Sequence, residues 1–426
     1  MNNALYQKYI EILKDELVPA MGCTEPIALA YAACLVKETL GELPEYTKLE
    51  VCGNIIKNVK SVVVPETNGL KGINTAIAAG YLAKDSKKEL EVLMSLTEDD
   101  LPKLRDYLAL NNIDIIPSKS PLKFFIKIEA VAKGNKALVQ IENKHTNVVL
   151  ISKNDEIIFK NDKVVYEQKN VAYDSLNIKD IVDFALNFNI SDLKEILLRQ
   201  VNYNLAIANE GLNKKYGANI GKVLLDTYGT SKEIKARAYA AAASDARMSG
   251  CPLPVVIVSG SGNQGIASSL PVYIFAKEEN KSEEEMLRAL ALANLVTLDQ
   301  KKGIGRLSAY CGATSAGIGA AAGIAFLEGG RYETISHTIV NALAIISGMV
   351  CDGAKPSCAA KISVAIDAGL FGYNMYKSNQ EFLDGEGLVC KGVENTINNV
   401  SQMARLGMSQ TDEEILKIMV GHKKTC

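Results

Sequence analysis

Three cysteines in the last third of the chain have neighbours that favour metal ligation. Cys311 lies in the segment 309–314, and Cys351 and Cys358 flank the short segment 352–357. Backbone N–H groups on turns and at helix N-termini stabilise thiolates, which suits iron–sulfur ligation. Three thiolates can hold a cluster while leaving one metal corner open. The alternative interpretation is packing, because a buried cysteine also behaves as a small apolar side chain.

A fourth cysteine, Cys23, lies in the segment 21–26, immediately ahead of a predicted helix. Thr24 is the expected N-cap of this helix and Pro26 is a suitable first-turn residue. The dipole of the helix favours a thiolate at its N-terminus. Cys23 could therefore be a base, a nucleophile or a fourth metal ligand, or it could simply fill a turn.

The glycine-rich segment 259–265 is predicted to bind an anion. Glycines let backbone N–H groups point inward, and the neighbouring side chains add hydrogen-bond donors without charge. The segment lacks the lysine and threonine of a nucleotide-binding P-loop, and no βαβ unit follows its G-x-G-x-x-G pattern. A substrate carboxylate is a suitable ligand, with Thr24 contributing and the loop supplying Ser259, Gly260, Ser261, Asn263 and Gln264.

The composition argues against several classes of partner and of metal site. The 426 residues carry a net charge of −2, so no basic excess favours nucleic acid. Nine cysteines without regular spacing favour core, catalytic or ligand roles in a reducing compartment, and the N-terminus has no signal-peptide pattern. We therefore expect a cytoplasmic protein without nucleic-acid or membrane partners. The three histidines are too scattered for an imidazole zinc site.

The hydrophobic patterns predict an α+β protein in three sections. Residues 1–90 form a helical lead that carries Cys23 and packs on the C-terminal section. Residues 91–177 alternate in the manner of strands, with Gly and Asn turns, and form a smaller antiparallel sheet with a helix. Residues 178–426 form an all-helical catalytic domain that carries the three clustered cysteines. Three uncharged stretches rich in small residues are expected to be buried segments of this domain rather than membrane spans.

The chain as a whole resembles the L-cysteine desulfidase family. The resemblance rests on the ordered set of segments 21–26, 245–250, 259–265, 310–312 and 351–358. That family is similar to the iron–sulfur L-serine dehydratases, especially to their helical α-chain domain.

The resemblance implies a 4Fe–4S enzyme, independent of pyridoxal phosphate, that eliminates the β-substituent of a small amino acid. The family's cluster ligands fall on Cys311, Cys351 and Cys358, and its catalytic cysteine falls on Cys23. The implied reaction converts L-cysteine to pyruvate, ammonia and sulfide. The implied partners are the amino-acid substrate and further copies of the chain.

Two other functions remain open from the sequence. An L-serine dehydratase is the close alternative, although the dehydratases have Ser and His in the N-terminal motif where this chain has Gly22, Cys23 and Thr24. An iron–sulfur sensor without turnover is the alternative from another class. The sequence assigns no role to Cys251, Cys390 or Cys426.

Overall fold

The computed structural model of the chain describes residues 3–161 and 171–421, so Cys426 lies outside the described residues. The helices in this part are α1 Asn3–Glu16, α2 Thr24–Leu40, α3 Gly53–Val59, α4 Ile73–Leu82, α5 Asp100–Ala109, α6 Val171–Asp174, α7 Ile178–Asn187, α8 Lys194–Asn213, α9 Ile220–Tyr228, α10 Lys232–Met248, α11 Gly262–Glu278, α12 Glu283–Ile304, α13 Gly312–Leu327, α14 Tyr332–Ile345, α15 Cys358–Lys377, α16 Val393–Gln402 and α17 Ser409–Gly421. Short 3₁₀ segments occupy Ser86–Ser95 and Ile190–Asp192, and a π-helical turn occupies Met403–Gly407.

The strands form two sheets. They are β1 Pro19–Met21, β2 Tyr46–Val51, β3 Ile113–Pro117, β4 Phe125–Ala132, β5 Asn135–Glu142, β6 Val148–Lys153, β7 Glu156–Lys160 and β8 Pro254–Val256. The larger sheet has the order β3-β2-β4-β5-β6-β7, and the smaller sheet pairs β1 with β8. The α+β fold class is therefore confirmed.

The larger sheet is a meander with one exception to the predicted antiparallel pairing. Strands β4 to β7 are joined by short turns and pair antiparallel, as the alternation of apolar residues predicts. β2 also pairs antiparallel with β4, but it pairs parallel with β3. The sheet is therefore mixed. A parallel pair needs a long crossover, and the chain between β2 and β3 supplies one through α3 to α5.

Helix α13 lies at the centre of the C-terminal body. It packs against α11, α12, α14 and α15, and every residue from Ala313 to Leu327 is buried. Small residues make this possible. A Cβ on Gly317 would lie 2.5 Å from the carbonyl carbon of Ala365 in α15, so only glycine permits the close helix approach. The uncharged stretch that contains α13 is thus buried, as predicted, whereas the end of the stretch 334–351 is half-buried or exposed.

The N-terminal helices pack around α2. This helix contacts α4 and one face of the sheet through β4 and β5. A Cβ on Gly80 of α4 would overlap the carbonyl oxygen of Ala30 in α2, so these two helices also cross at close range. In the part of the chain that the structure describes, no helix is both long and apolar enough to cross a membrane.

Two strands connect the predicted sections. β2 belongs to the predicted helical lead but lies in the sheet of the second section, and β1 pairs with β8 of the third section. The prediction that residues 178–426 are all-helical is wrong at Pro254–Val256, because the apolar residues before the glycine-rich loop have an exposed strand edge in β1 to pair with. The division into three domains stays a prediction.

Candidate active site

A cavity of about 100 Å³ lies where the starts of α2, α11, α13 and α15 converge with α3 and the end of α10. Its walls combine four cysteines, cationic groups and one carboxylate. The polar and sulfur-bearing residues that line it are Cys23, Glu25, Asn54, Lys57, Asn58, Arg247, Ser261, Asn263, Gln264, Lys301, Arg306, Ser308, Tyr310, Cys311, Cys351 and Cys358.

A short antiparallel bridge brings Cys311 and Cys351 together. The Cys311 N–H donates to the Met349 carbonyl at 2.9 Å, and the Cys351 N–H donates to the Ala309 carbonyl at 2.6 Å. Tyr310 and Val350 form the bridge pair between them. Because side chains alternate along extended backbone, both cysteines stand on the face opposite the bridge pair. The bridge therefore presents two thiols to the cavity.

The third thiol comes from the start of α15. Cys358 is the first residue of this helix, and its Sγ donates to the Gly353 carbonyl at 3.7 Å. Gly353 has φ of +94°, and a Cβ there would lie 2.5 Å from the Lys57 carbonyl oxygen of α3. The loop from Cys351 to Cys358 therefore lies directly against α3, with glycine required at the contact.

The electrostatic surroundings of these sulfurs differ. The hydrogen bond from Cys311, with the nearby charges of Lys57 and Lys361 and the Gly353 N–H, lowers the pKa of Cys351 to about 6. The same hydrogen bond and burial raise the pKa of Cys311 well above its ordinary value. Burial also raises the pKa of Cys358. Within this pair Cys311 is therefore the proton donor, and Cys351 carries the more acidic thiol.

Three converging sulfurs fit an iron–sulfur cluster better than a single ion. Among residues 3–161 and 171–421, no three His, Cys, Asp or Glu side chains are arranged to hold one metal ion. In a cluster each cysteine binds a different iron atom, so such tight convergence is not required. The sulfurs also receive backbone N–H groups of Ala313, Gly353 and Lys355, which stabilise bound thiolates.

Cys23 also lines the cavity, and it belongs to a small apolar cluster against which Cys358 packs. It is the N-cap of α2, whereas the predicted N-cap Thr24 is the first helical residue. The Cys23 Sγ–H donates to Glu25 Oε2 at 3.2 Å. Burial and then the charge of Glu25 raise the pKa of Cys23 well above its ordinary value. The prediction of a thiolate is therefore wrong for this state, because burial outweighs the helix dipole. The catalytic role of Cys23 stays a prediction.

Glu25 is a buried carboxylate that the sequence did not single out. Its Oε1 accepts from Asn58 Nδ2 at 3.0 Å, and its Oε2 accepts from the Thr24 hydroxyl at 3.1 Å and from Cys23. The neighbouring His145 and then the Cys23 thiol outweigh the effect of burial, and the pKa of Glu25 falls to about 2. The cavity thus contains an ionised carboxylate in contact with a thiol.

The glycine-rich loop reaches the cavity with only part of its predicted residues. Ser261, Asn263 and Gln264 line the cavity at the start of α11, but Ser259, Gly260 and Thr24 do not. Ser259 and Gly260 have φ of +50° and +72° and form the turn instead. The Thr24 hydroxyl donates to the Gly260 carbonyl at 3.0 Å, so it fastens the turn to α2.

Arg247 brings a buried guanidinium to the same wall. It is 2% exposed at the end of α10, and its Nη1 donates to Asn263 Oδ1 at 3.0 Å. Within the described ranges it forms no ion pair, and its Nε has no hydrogen-bond partner. A buried cation without a counter-charge favours binding of an anionic ligand. Next to it, Gln264 Oε1 also has no partner in the described residues.

In the described residues, two of the other cationic side chains that line the cavity form ion pairs, unlike Arg247. Lys57 forms an ion pair with Asp412 of α17, and Arg306 forms one with Glu16 of α1. Lys301 is 4% exposed, and burial lowers its pKa to about 8. Lys57 and Asn58 of α3 both line the cavity.

Lys361 does not line the cavity. It donates to Asp352 Oδ1 at 2.5 Å and so holds the loop between Cys351 and Cys358. Of the residues that sequence reasoning missed, Arg247 and Tyr310 lie inside segments that carry the family resemblance. Lys301 and His145 had no local signal, because their surroundings come from distant parts of the chain.

Comparison with known families agrees with this geometry. The family model described as serine dehydratase alpha chain matches residues 87–417. The chain belongs to the serine dehydratase alpha chain family. The match includes the three clustered cysteines, the glycine-rich loop and Arg247. It does not include residues 1–86, which supply Cys23, Glu25 and α3.

Relatives in this family match the whole chain. A UPF0597 protein of Desulfitobacterium hafniense is 51% identical over 416 residues, 97% of both chains. A UPF0597 protein of Lachnoclostridium phytofermentans is 47% identical over 98% of this chain and 100% of the relative. A third, from Finegoldia magna, is 46% identical over 97% of this chain and 99% of the relative. None of these three relatives is named as a cysteine desulfidase.

Proposed function

We propose that this member of the serine dehydratase alpha chain family is an iron–sulfur lyase for α,β-elimination from a small amino acid. The preferred substrate in this proposal is L-cysteine, and the products are pyruvate, ammonia and sulfide. The observation that carries the proposal is one cavity in which three cysteine thiols face an unpaired guanidinium and a thiol–carboxylate pair.

The proposed cofactor is a 4Fe–4S cluster held by Cys311, Cys351 and Cys358. The family and the donor set of three thiols on N–H-rich turns support this assignment. When bound, such a cluster with an open iron supplies a Lewis acid for the leaving group. Pyridoxal phosphate is not part of the proposal.

Arg247 is the proposed anchor of the substrate carboxylate. Its guanidinium is buried, lacks a carboxylate partner in the described residues and stands beside Asn263 and Gln264. A guanidinium binds a carboxylate with paired hydrogen bonds and fixes its orientation. This assignment moves the main anionic contact from the predicted glycine-rich loop to Arg247.

Cys23 and Glu25 are proposed to remove the α-proton of the substrate together. Cys23 Sγ passes its proton to Glu25 along the existing hydrogen bond in the same step in which the sulfur accepts the α-proton of the substrate, so no free thiolate forms beside the carboxylate. The Cα–H electron pair forms the Cα=Cβ bond, and the Cβ–S pair leaves with the sulfur as HS⁻. The proton on Glu25 then converts HS⁻ to H₂S. The aminoacrylate tautomerises to an imine, and water releases pyruvate and ammonia.

A second candidate is L-serine dehydration, which the description of the matching family favours. Serine differs from cysteine only in the leaving atom, so both fit the same carboxylate anchor. The residues that differ from the dehydratase motif lie around Cys23, outside the match to residues 87–417. Preference between sulfur and oxygen therefore depends on the N-terminal side of the cavity.

The test uses full-length protein purified and reconstituted without oxygen. Pyruvate and sulfide are measured together with L-cysteine, and pyruvate alone with L-serine. The proposal predicts equal amounts of pyruvate and sulfide from cysteine and a larger kcat/KM for cysteine than for serine. Faster turnover of serine would be consistent with the lyase assignment but would reject the proposed preference for cysteine. A protein that binds the cluster but converts neither amino acid would support the sensor function instead.

A further inference from the structure

His145 is a buried histidine whose position suggests a role in the cavity. It lies in the turn between β5 and β6, is 7% exposed and packs edge-on against Phe124 with 4.6 Å between ring centroids. Its Nε2 is buried and has no hydrogen-bond partner among the described residues. A buried polar nitrogen without a partner is costly unless it serves a function.

A carboxylate of the cavity lies close to this nitrogen. His145 Nε2 stands 3.9 Å from Glu25 Oε1, too far for a direct hydrogen bond but close enough for the imidazole to pack against the carboxylate. Glu25 in turn accepts the thiol proton of Cys23 at 3.2 Å. Imidazole, carboxylate and thiol therefore form a row from the protein interior to the cavity.

Other contacts fix this row in place. Asn58 Nδ2 and the Thr24 hydroxyl hold the Glu25 carboxylate from two sides. Gly260 covers the histidine ring, since a Cβ there would lie 3.1 Å from His145 Cε1. The turn that contains Gly260 thus requires glycine partly to accommodate His145.

Further charged groups near the row have partners of their own or face its other end. A Cβ on Gly260 would also lie 3.1 Å from Arg306 Nη1, and Arg306 is paired with Glu16. Lys144, adjacent to His145, is paired with Asp15. On the cavity side, the charge of Arg247 acts on Cys23. Glu25 is therefore the carboxylate for which His145 is best placed in the described structure.

We infer that His145 is a positioning residue that acts through Glu25, holding its carboxylate ready to receive the proton of Cys23. The inference rests on the proposed function for its catalytic meaning. His145 does not touch the cavity, so it does not contact the substrate. Its effect reaches Cys23 only through the intervening carboxylate.

The test is a double-mutant cycle with His145→Gln, Glu25→Gln and the double variant. The readout that does not depend on turnover is the rate of Cys23 alkylation by iodoacetamide at pH 8, located by peptide mass spectrometry. His145→Gln removes the imidazole that packs beside the Glu25 carboxylate and so loosens the alignment of this carboxylate with the Cys23 thiol, and it is expected to slow alkylation severalfold. In the Glu25→Gln background the same change should have no further effect. His337→Gln, which changes a half-buried histidine paired with Glu381, is the control.

Kinetics separate the two proposals. In the active enzyme, His145→Gln should lower kcat and leave KM nearly unchanged, because the carboxylate anchor is intact. An equal alkylation effect of His145→Gln in both backgrounds, or none in either, would overturn the positioning role even if turnover is normal. A coupled alkylation effect in a protein without turnover would reject the proposed function and retain the coupling.

A second measurement covers the case in which His145→Gln does not fold. The chain has three histidines, so ¹⁵N-histidine labelling gives few ring signals to assign. Glu25→Gln is expected to shift the ring nitrogen signals of His145 and leave those of His337 unchanged. Unchanged His145 signals would contradict the inference.

Discussion

The two sides of the cavity are built in different ways. On the C-terminal side, a short backbone bridge brings Cys311 beside Cys351, and Cys358 stands at the start of α15. On the N-terminal side, Glu25 accepts hydrogen bonds from α2 and from α3, and His145 of the turn between β5 and β6 lies 3.9 Å away. One backbone bridge and one loop place the thiols, whereas the packing of three separate elements assembles the row of His145, Glu25 and Cys23.

This contrast suggests that the two sides of the cavity have different functions. The match to the serine dehydratase alpha chain covers the thiols and Arg247, and the N-terminal side lies largely outside it. We expect the C-terminal side to hold the proposed cofactor and the substrate carboxylate. The N-terminal side should control proton transfer and the choice of leaving group. Substitutions on the C-terminal side should therefore change cluster binding or KM, whereas substitutions on the N-terminal side should change kcat or the preferred substrate.

The largest expected effect separates the two kinds of cysteine. Cys351→Ser removes a proposed ligand and should abolish both the cluster absorbance and turnover. Cys23→Ser should retain the absorbance but lower kcat by about 100-fold or more, because a hydroxyl is a poor substitute for the thiol in proton transfer. Cys390→Ser, outside the cavity, is the control for both. Loss of the cluster in Cys23→Ser would show that Cys23 is a cluster ligand. It would contradict the assignment of different functions to the two sides of the cavity.

Arg247→Lys tests the carboxylate anchor on the C-terminal side. A lysine keeps the charge but loses the paired geometry and the bond to Asn263, so KM should rise by about tenfold or more. Arg237→Lys on the same helix alters a surface pair with Asp367 and should change KM little. Michaelis constants of the two variants provide the measurement. A large fall in kcat with unchanged KM would assign Arg247 to the chemical step instead.

Gly80→Ala tests how tightly the N-terminal helices must pack to hold Cys23 and Glu25. The added methyl group would overlap the Ala30 carbonyl of α2, and we expect a loss of about 1–3 kcal/mol in unfolding free energy. Gly348→Ala is the control, since a Cβ at that position would meet nothing within 4 Å. Thermal unfolding followed by circular dichroism measures both. Equal midpoints for the two variants would show that the crossing of α2 and α4 tolerates expansion.

The last prediction concerns a titratable group outside the cavity lining. Burial raises the pKa of Asp299 from 3.8 to about 7, although Lys302 opposes the shift. A raised folded-state pKa adds stability below pH 4 that is lost as the pH rises to about 7, by at most about 1.4 kcal/mol per pH unit. Asp299→Asn cannot titrate. The stability of the wild type relative to Asp299→Asn should therefore fall between about pH 4 and pH 7 in thermal unfolding. A constant difference would contradict the shift.

The sequence predicted the two sides of the cavity unequally. The helices and hairpins followed from apolar periodicity, and the turn positions of Cys311 and Cys358 followed from nearby Gly, Pro and Ser. The parallel pairing of β2 with β3 has no local signal, because it depends on a long crossover. His145 lacked a motif for the same reason, since Glu25 is its partner only after the sheet packs on α2.

Cys23 shows where a local rule gave the wrong sign. Its position at a helix N-terminus favours a thiolate, but the fold buries it beside an ionised carboxylate. Both effects act against the thiolate and together exceed the helix dipole. The neighbour Glu25 is visible in the sequence, but its burial and orientation are properties of the tertiary structure.

The most direct test of the account is the iron and acid-labile sulfide content of full-length protein purified without oxygen. If the three cysteines hold the proposed cluster, the protein should contain about four iron atoms and four sulfides per chain. Removal of this iron by a chelator should abolish pyruvate formation. Iron-free protein that converts cysteine or serine at full rate would contradict the central claim.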